Sequence, residues 1–248
     1  MEKSINISNL QKHYSGAEMP ALQGLSLSFD KGIIAGLLGP NGAGKTTTIS
    51  ILCGLVSADG GTATVCGLDC HTNIKTIQRR IGVVPQQIAL YPQLSAVENL
   101  EYIGRLYGIN RKILKERIMM LLERFGLHTH AKKRIGNYSG GMKRRANIIA
   151  GLLHEPELLI LDEPTAGVDV QSRAMILDFL KHYNEEGKTI LYTSHLLEEA
   201  ERMCHDVAIV DQGKLIIQGS PQALINSAQD CANLEEVFLH YTGRPVRE

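Results

Sequence analysis

Ile33-Ile34-Ala35-Gly36-Leu37-Leu38-Gly39-Pro40-Asn41-Gly42-Ala43-Gly44-Lys45-Thr46 is the stretch around which the chain is organised. Its first six residues are an apolar run with the length and composition of a buried strand. The residues that follow, Thr47-Thr48-Ile49-Ser50-Ile51-Leu52-Cys53, can continue as a helix that stops at Gly54. Strand, G-x-x-x-x-G-K-T, helix is the phosphate-binding loop in the context it requires. The glycines let backbone N–H groups close around phosphates, and the helix N-terminus adds partial positive charge. Lys45 would reach the β- and γ-phosphates, and Thr46 would place its hydroxyl on Mg²⁺. The alternative, a Gly-rich turn that happens to contain a lysine, does not account for the spacing and both flanks together. A nucleoside triphosphate is the expected ligand.

The strand on which a metal-binding carboxylate is expected lies further along, at Leu158-Leu159-Ile160-Leu161-Asp162-Glu163. In a P-loop protein this strand is expected beside the P-loop strand, with Asp162 on Mg²⁺. Glu163 would then lie near the γ-phosphate and accept a proton from attacking water. A third strand, Thr189 to Ser194, ends at His195. A histidine at the carboxyl end of a strand could hydrogen-bond a γ-phosphate. Taken alone it reads as structural.

Composition narrows the classes. The 248 residues suffice for one large or two small domains, and the 44% hydrophobic content is that of an ordinary globular protein. Lys plus Arg equals Asp plus Glu at 26 each, so no general attraction to nucleic acid is expected. No apolar run reaches the roughly 18–20 residues that span a bilayer. The start, Met1 to Asn6, lacks the apolar core of a signal peptide. Any membrane role is expected through a partner, from the cytosolic side. The five cysteines are scattered, and the Cys66/Cys70 pair has no second pair to complete a zinc site. They read as free thiols in a reducing compartment.

Periodicity sketches the remainder. Ile5 and Ile7, then Leu25, Leu27 and Phe29, alternate as half-buried strands do. The polar loop between them holds Tyr14, which could stack on a base but as a lone aromatic reads as partly exposed surface. Gly60-Gly61 reads as a turn before a strand at Thr62 to Val65, and a polar, basic stretch leads to a strand at Ile81 to Val84. Leu100, Ile103, Leu106 and Tyr107 mark one helical face, and Leu114, Ile118, Leu121, Leu122 and Phe125 another. Residues 90–155 therefore read as a helical insert in an α/β chain. It ends at Ser139-Gly140-Gly141-Met142-Lys143-Arg144-Arg145, with Ser139 near an N-cap and two glycines exposing N–H groups. Three basic residues in a first turn oppose the macrodipole, a cost that a bound anion would offset. As individuals they read as a solvated charge run. Val207 to Val210 and Leu215 to Ile217 read as a hairpin, and Leu234, Val237, Phe238 and Tyr241 as an amphipathic tail segment.

In this order the motifs resemble the ATP-binding subunits of ABC transporters over essentially the whole chain. The resemblance implies an α/β fold: a P-loop NTPase core with an antiparallel β subdomain and a helical subdomain carrying the signature. A single ABC ATPase domain, 1–248, is expected, with β subdomain and P-loop core at 1–85 and 156–220. The helical subdomain would span about 86–155 and the tail 221–248.

Residue by residue, Tyr14 fits the aromatic that stacks on adenine, and Gly39 to Thr47, with Pro40, Asn41, Gly42, Ala43, Gly44, Lys45 and Thr46 between, is the P-loop. Gln86 fits the Q-loop glutamine that senses Mg²⁺ and contacts the membrane partner. Ser139, Gly140 and Gly141 match the signature. Asp162 and Glu163 match the Walker B aspartate and catalytic glutamate, Asp169 the D-loop aspartate and His195 the switch histidine. Tyr138 and Met142 flank the signature where Leu and Gln are commonest, a form similar to the branch exporting drugs, polysaccharides or lipids. The stretches Leu90 to Ser95 and Leu234 to Leu239 are similar to that branch too.

The family's mechanism is an ATP sandwich: two subunits, a homodimer being expected, enclose two ATP molecules with Mg²⁺. By that resemblance each γ-phosphate would meet Lys45 of one subunit and Ser139 to Gly141 of the other. A separate integral membrane permease would feel that closure through the cleft near Gln86, which holds the chain at the cytoplasmic face of the membrane. Three other readings compete with this one. A soluble ABC ATPase acting on nucleic acid or ribosomes typically carries coiled-coil insertions or tandem units, which are absent here. A P-loop kinase or GTPase has no place for Ser-Gly-Gly, and a guanine-reading Asn-Lys-x-Asp is absent. An importer subunit often carries an extra regulatory domain, whereas about fifty residues follow His195.

Overall fold

The computed structural model describes residues 2–228 and 231–243; the rest of the expected tail, 244–248 included, lies outside the described residues. The chain begins with strands β1 (Lys3–Lys12) and β2 (Leu22–Asp30), paired antiparallel, whose buried residues include Ile5, Ile7, Leu25, Leu27 and Phe29. Strand β3 (Ile34–Leu38) is buried at every position, and α1 (Lys45–Leu52) follows the glycine loop. Then come β4 (Gly60–Val65), β5 (Leu68–Asp69), α2 (Ile74–Arg80) and β6 (Ile81–Val84). Helices α3 (Ala96–Leu106), α4 (Arg111–Arg124) and α5 (Gly140–Leu152) form a consecutive helical block. The chain closes with β7 (Leu158–Asp162), α6 (Val170–Glu185), β8 (Thr189–Ser194), α7 (Leu197–Met203), β9 (Asp206–Asp211), β10 (Lys214–Gly219), α8 (Pro221–Ser227) and α9 (Leu234–Thr242).

Two sheets result. The four-stranded sheet runs β2-β1-β4-β5, all antiparallel. The six-stranded sheet runs β10-β9-β3-β8-β7-β6, parallel except for the β9–β10 hairpin. A parallel sheet covered on both faces reads as unbroken apolar runs, because alternate residues feed different cores. Along β7, Leu158 and Ile160 join the core shared with α1 and the antiparallel sheet, while Leu159 and Leu161 join the core under the helical block.

Several expectations change. The strand ending in Asp162 does not lie beside the P-loop strand: β8 lies between them, pairing Ile34 with Ile190 on one side and Leu158 with Thr189 on the other. Strand order is set by crossover connections, which apolar runs of equal length do not encode. Gly60-Gly61 is no turn but the start of β4, where a Cβ on Gly61 would sit 2.2 Å from the Asn9 carbonyl at a shift in strand register. The basic stretch before Ile81 contains α2, too short to show a period, with only Ile77 buried.

On α3 the inward face is Ala96, Asn99, Leu100 and Gly104; Leu106 is 71% exposed and Tyr107 is exposed too. Asn99 is drawn in by exchanging hydrogen bonds with the Tyr91 backbone. Nor are Arg144 and Arg145 of α5 part of a solvated run. Arg144 is buried and donates to the Pro85 and Gln86 carbonyls, and Arg145 donates to the Phe125 carbonyl. Burial lowers both guanidinium pKa values.

Candidate active site

The loop from Gly39 to Gly44 leaves β3 and enters α1. Gly39 has φ 151° and no room for a side chain, since a Cβ would lie 2.1 Å from the Val210 carbonyl. Gly44, at φ 102°, is the N-cap of α1 and presses on Ala21 and Leu22 in the same way. These close approaches hold the loop open around a cavity of about 220 Å³, lined by Ala21, Asn41 to Thr47, Gln86 and Glu163. The free N–H groups of the α1 first turn suit an anion.

Charged side chains converge on that cavity. Lys45 is 5% exposed, and its Nζ donates to the carbonyls of Gly39 at 2.7 Å and Pro40 at 3.1 Å. It also stands 3.8 Å from Glu163 Oε1. Burial pulls the lysine pKa down, while Glu163 and Asp162 push it back up. Asp162 Oδ1 accepts from Thr193 Oγ1 at 2.7 Å, and its Oδ2 accepts from Thr46 Oγ1 at 3.4 Å. Glu163 has φ 47°, a left-handed conformation rare for a side-chain-bearing residue. Its N–H donates to Thr193 Oγ1 at 3.1 Å, and its Oε2 accepts from Gln86 Nε2 at 2.9 Å. His195 Nδ1 is 3.2 Å from Glu163 Oε1, close enough for an ion pair when the ring is protonated, though not aligned as a hydrogen bond.

The structure thus brings Lys45, Thr46, Gln86, Asp162, Glu163 and His195 together. Two functional supports lay beyond sequence reasoning. Thr193 joins Asp162 to the Glu163 backbone, and Arg144 fixes the Gln86 carbonyl. Thr193 carries no motif signal; only its register opposite Asp162 marks it.

The other expected residues lie apart from this cavity. Tyr14 is 40% exposed, with Lys12 Nζ 5.6 Å from its ring centroid, and is not among the lining residues. Ser139 caps α5 by accepting from the Met142 N–H. Gly141 packs on α6, where a Cβ would fall 2.2 Å from Ser172 Oγ and 2.5 Å from Asp169 Oδ2. Asp169 caps α6 through the Ser172 N–H, which holds its carboxyl below the usual range. Tyr138 is buried and donates to the His130 carbonyl at 2.8 Å. Signature and Asp169 therefore form a second cluster, which does not line the P-loop cavity.

Residues 22–166 match the family model described as ABC transporter. The chain belongs to the ABC transporter family. It is an ABC ATPase, an ATP-binding and ATP-hydrolysing domain with the α/β architecture expected for one. The linearmycin resistance ATP-binding protein of Bacillus subtilis is 49% identical over 212 residues, covering 86% of this chain and 68% of that protein. A Nod factor export ATP-binding protein I of Cupriavidus pinatubonensis is 40% identical over 231 residues, 93% of this chain and 70% of that protein. Among solved structures, a dimeric ATP-binding cassette in a post-hydrolysis state, bound to ADP and Pi, superposes with a TM-score of 0.80 at 25% identity, covering 87% and 98% of the two chains. These relatives do not favour a soluble ABC ATPase acting on nucleic acid or ribosomes. Among the described residues, no helix of this ABC ATPase is long and apolar enough to cross a membrane.

Proposed function

We propose that this ABC ATPase powers an exporter by closing with a second ATPase subunit, a homodimer, around two ATP molecules and so driving a separate membrane-spanning permease. The observation carrying the reading is the division of the site. One chain lines a cavity with Lys45, Thr46, Gln86 and Glu163, which Asp162 and His195 adjoin through Thr46 and Glu163, while the signature packs its Gly141 beside Asp169, outside the cavity lining. A partner's signature would complete the γ-phosphate shell. The dimeric, ADP- and Pi-bound relative supports that arrangement. The export-named and resistance-named relatives, with Tyr138-Ser139-Gly140-Gly141-Met142, support the drug, polysaccharide or lipid exporter branch.

Lys45 would trade its Gly39 and Pro40 carbonyl partners for phosphate oxygens. Thr46 and Asp162 offer hard oxygen donors 3.4 Å apart, which fits Mg²⁺; the described residues hold no cluster of three His, Cys, Asp or Glu side chains that could bind a metal by themselves. When bound, Mg²⁺ would offset the negative charge of the phosphates. Glu163 is the general base for attacking water, with Gln86 and His195 orienting its two oxygens. Tyr14 stacks on adenine and Asp169 serves the interface between subunits. The domain divides into the β and P-loop core at 1–85 and 156–220, the helical part at about 86–155 and the tail.

The permease is proposed to dock in a groove of about 780 Å³ formed by Leu55, Lys75, Arg79, Leu106 and Tyr107 beside β6, whose chain runs on to Gln86. Leu55 and Leu106 there are 73% and 71% exposed, an apolar surface suited to a partner. Such docking places the subunit peripherally on the cytoplasmic face.

The test is co-purification of tagged Glu163→Gln protein from detergent-solubilised membranes with ATP present. The expected result is a stoichiometric integral membrane protein that is lost on adding Leu106→Glu. Recovery only from the cytosol, alone or with ribosomes or DNA, overturns the transporter reading.

A further inference from the structure

A second buried network lies behind the catalytic loop and has no part in the steps above. Glu199, on α7 four residues beyond His195, is nearly buried, and its Oε2 accepts from Thr165 Oγ1 at 2.7 Å and from the Tyr192 hydroxyl. Thr165 and the Tyr192 hydroxyl also touch each other at 3.1 Å. The second oxygen, Oε1, lies 3.2 Å from Arg173 Nε, in the first turn of α6. One carboxylate thus accepts two hydrogen bonds, from the loop and from β8, and stands at ion-pair distance from α6 without the alignment of a hydrogen bond. Burial, with Glu199 beside it, pushes the Tyr192 hydroxyl far above its usual pKa, so it remains a neutral donor.

Two of these elements, the loop and β8, border the reacting groups Glu163 and His195. Thr165 follows Glu163 by two residues, with only Pro164 between, whose ring fixes φ. Glu163 itself is held at φ 47°, its carbonyl accepting from the Ala166 N–H at 3.2 Å. A non-glycine residue keeps such a conformation only where its surroundings over-determine it. The Thr193 bond holds the strand side of that turn, and Glu199 holds its far side. Tyr192 precedes Thr193 on β8, and Arg173 sits one turn past Asp169 on α6.

We infer that Glu199 is a positioning residue for ATP hydrolysis: through Thr165 it sets the backbone of Glu163, and through α7 it ties that loop to the His195 segment. The inference rests on Glu163 being the base. It does not involve contact of Glu199 with ATP.

Kinetics of the full chain, assembled with its partner subunits, decide the matter. Glu199→Gln loses the charge facing Arg173, and Thr165→Val loses the hydroxyl at nearly constant volume. Each is expected to lower kcat about tenfold while KM for ATP stays within about twofold. The thermal midpoint should move by no more than about 4 °C. Thr165→Ser, which keeps the hydroxyl, should restore kcat to within about twofold of the parent, and the double variant Glu199→Gln/Thr165→Val should fall no further than the weaker single variant. Unchanged kcat in both single variants, multiplicative losses in the double, or failure of Thr165→Ser to restore turnover overturns the inference. So does a parallel collapse of kcat, KM and thermal midpoint. If Glu199→Gln does not fold, the Thr165→Val and Thr165→Ser pair decides alone. Glu163→Gln assayed alongside separates the two claims. Full turnover there removes the base assignment, whereas its loss beside an unaffected Glu199→Gln removes only the positioning role.

Discussion

The P-loop cavity and the Ser139 signature both present a helix N-terminus, yet they are built in opposite ways. At the cavity, a buried lysine faces two buried carboxylates, and Gln86 and the hydroxyls of Thr46 and Thr193 occupy their oxygens. Its lysine is paired within a single chain, one cation against two carboxylates. The first turn of α5 has no acidic residue, and its arginines turn away to backbone carbonyls of neighbouring segments. At Gly140 a Cβ would meet nothing within 4 Å. One end is preassembled around its own counter-ions. The other is an open set of donors whose rigidity comes from packing against α6. In the proposed mechanism a site divided this way makes hydrolysis depend on two surfaces meeting, because only the first holds Glu163.

The contrast can be broken at either end. The largest effect is expected for Lys45→Ala, which removes the cavity's cation: nucleotide affinity and turnover should both be lost, and unchanged affinity in a fluorescent-ATP titration would contradict the role. Glu163→Gln should retain nucleotide affinity and lower kcat by about 10²–10⁴-fold, because it deletes the base with little change of volume. Near-normal turnover would mean that another group takes the proton. At the signature, Gly141→Ala drives a methyl into Ser172 and Asp169 and should cost about 1–3 kcal/mol in urea unfolding. Gly140→Ala meets open space and should leave unfolding free energy unchanged or raised by up to about 1 kcal/mol, while weakening ATP-dependent dimers in sedimentation. A comparable loss of stability in both would show that packing does not distinguish the two glycines. Arg144→Met should cost about 1–3 kcal/mol, since the Pro85 and Gln86 carbonyls lose their donor. The smallest change is expected for the neighbouring Lys143→Met, within about 0.5 kcal/mol of the parent.

The residues from Ile33 to Thr46 were legible because glycine positions, a lysine and an apolar strand recur at fixed spacing for one physical purpose. Leu158 to Glu163 was legible for the same reason. The face of α4 followed from period; on α9 Leu234, Val237 and Phe238 are buried as the pattern nominates, but Tyr241, a turn further on, is exposed. Leu106 and Tyr107 were misplaced on α3 because a groove beside β6 leaves that turn uncovered. The inward turn of Arg144 was equally invisible, since a charged residue reads as solvated until the carbonyls that receive it are known.

Local patterns by themselves determined the P-loop, the two carboxylates at a strand end and the α/β class, because each depends on neighbours in sequence. Tertiary structure alone decided that β8 separates β7 from β3. It alone decided that Thr193 joins the two carboxylate positions, that Glu199 braces the loop after them, and that the signature packs beside Asp169 rather than over Lys45. Those relations join residues 28 or more positions apart, and they arise from chain crossovers and packing that no local period records.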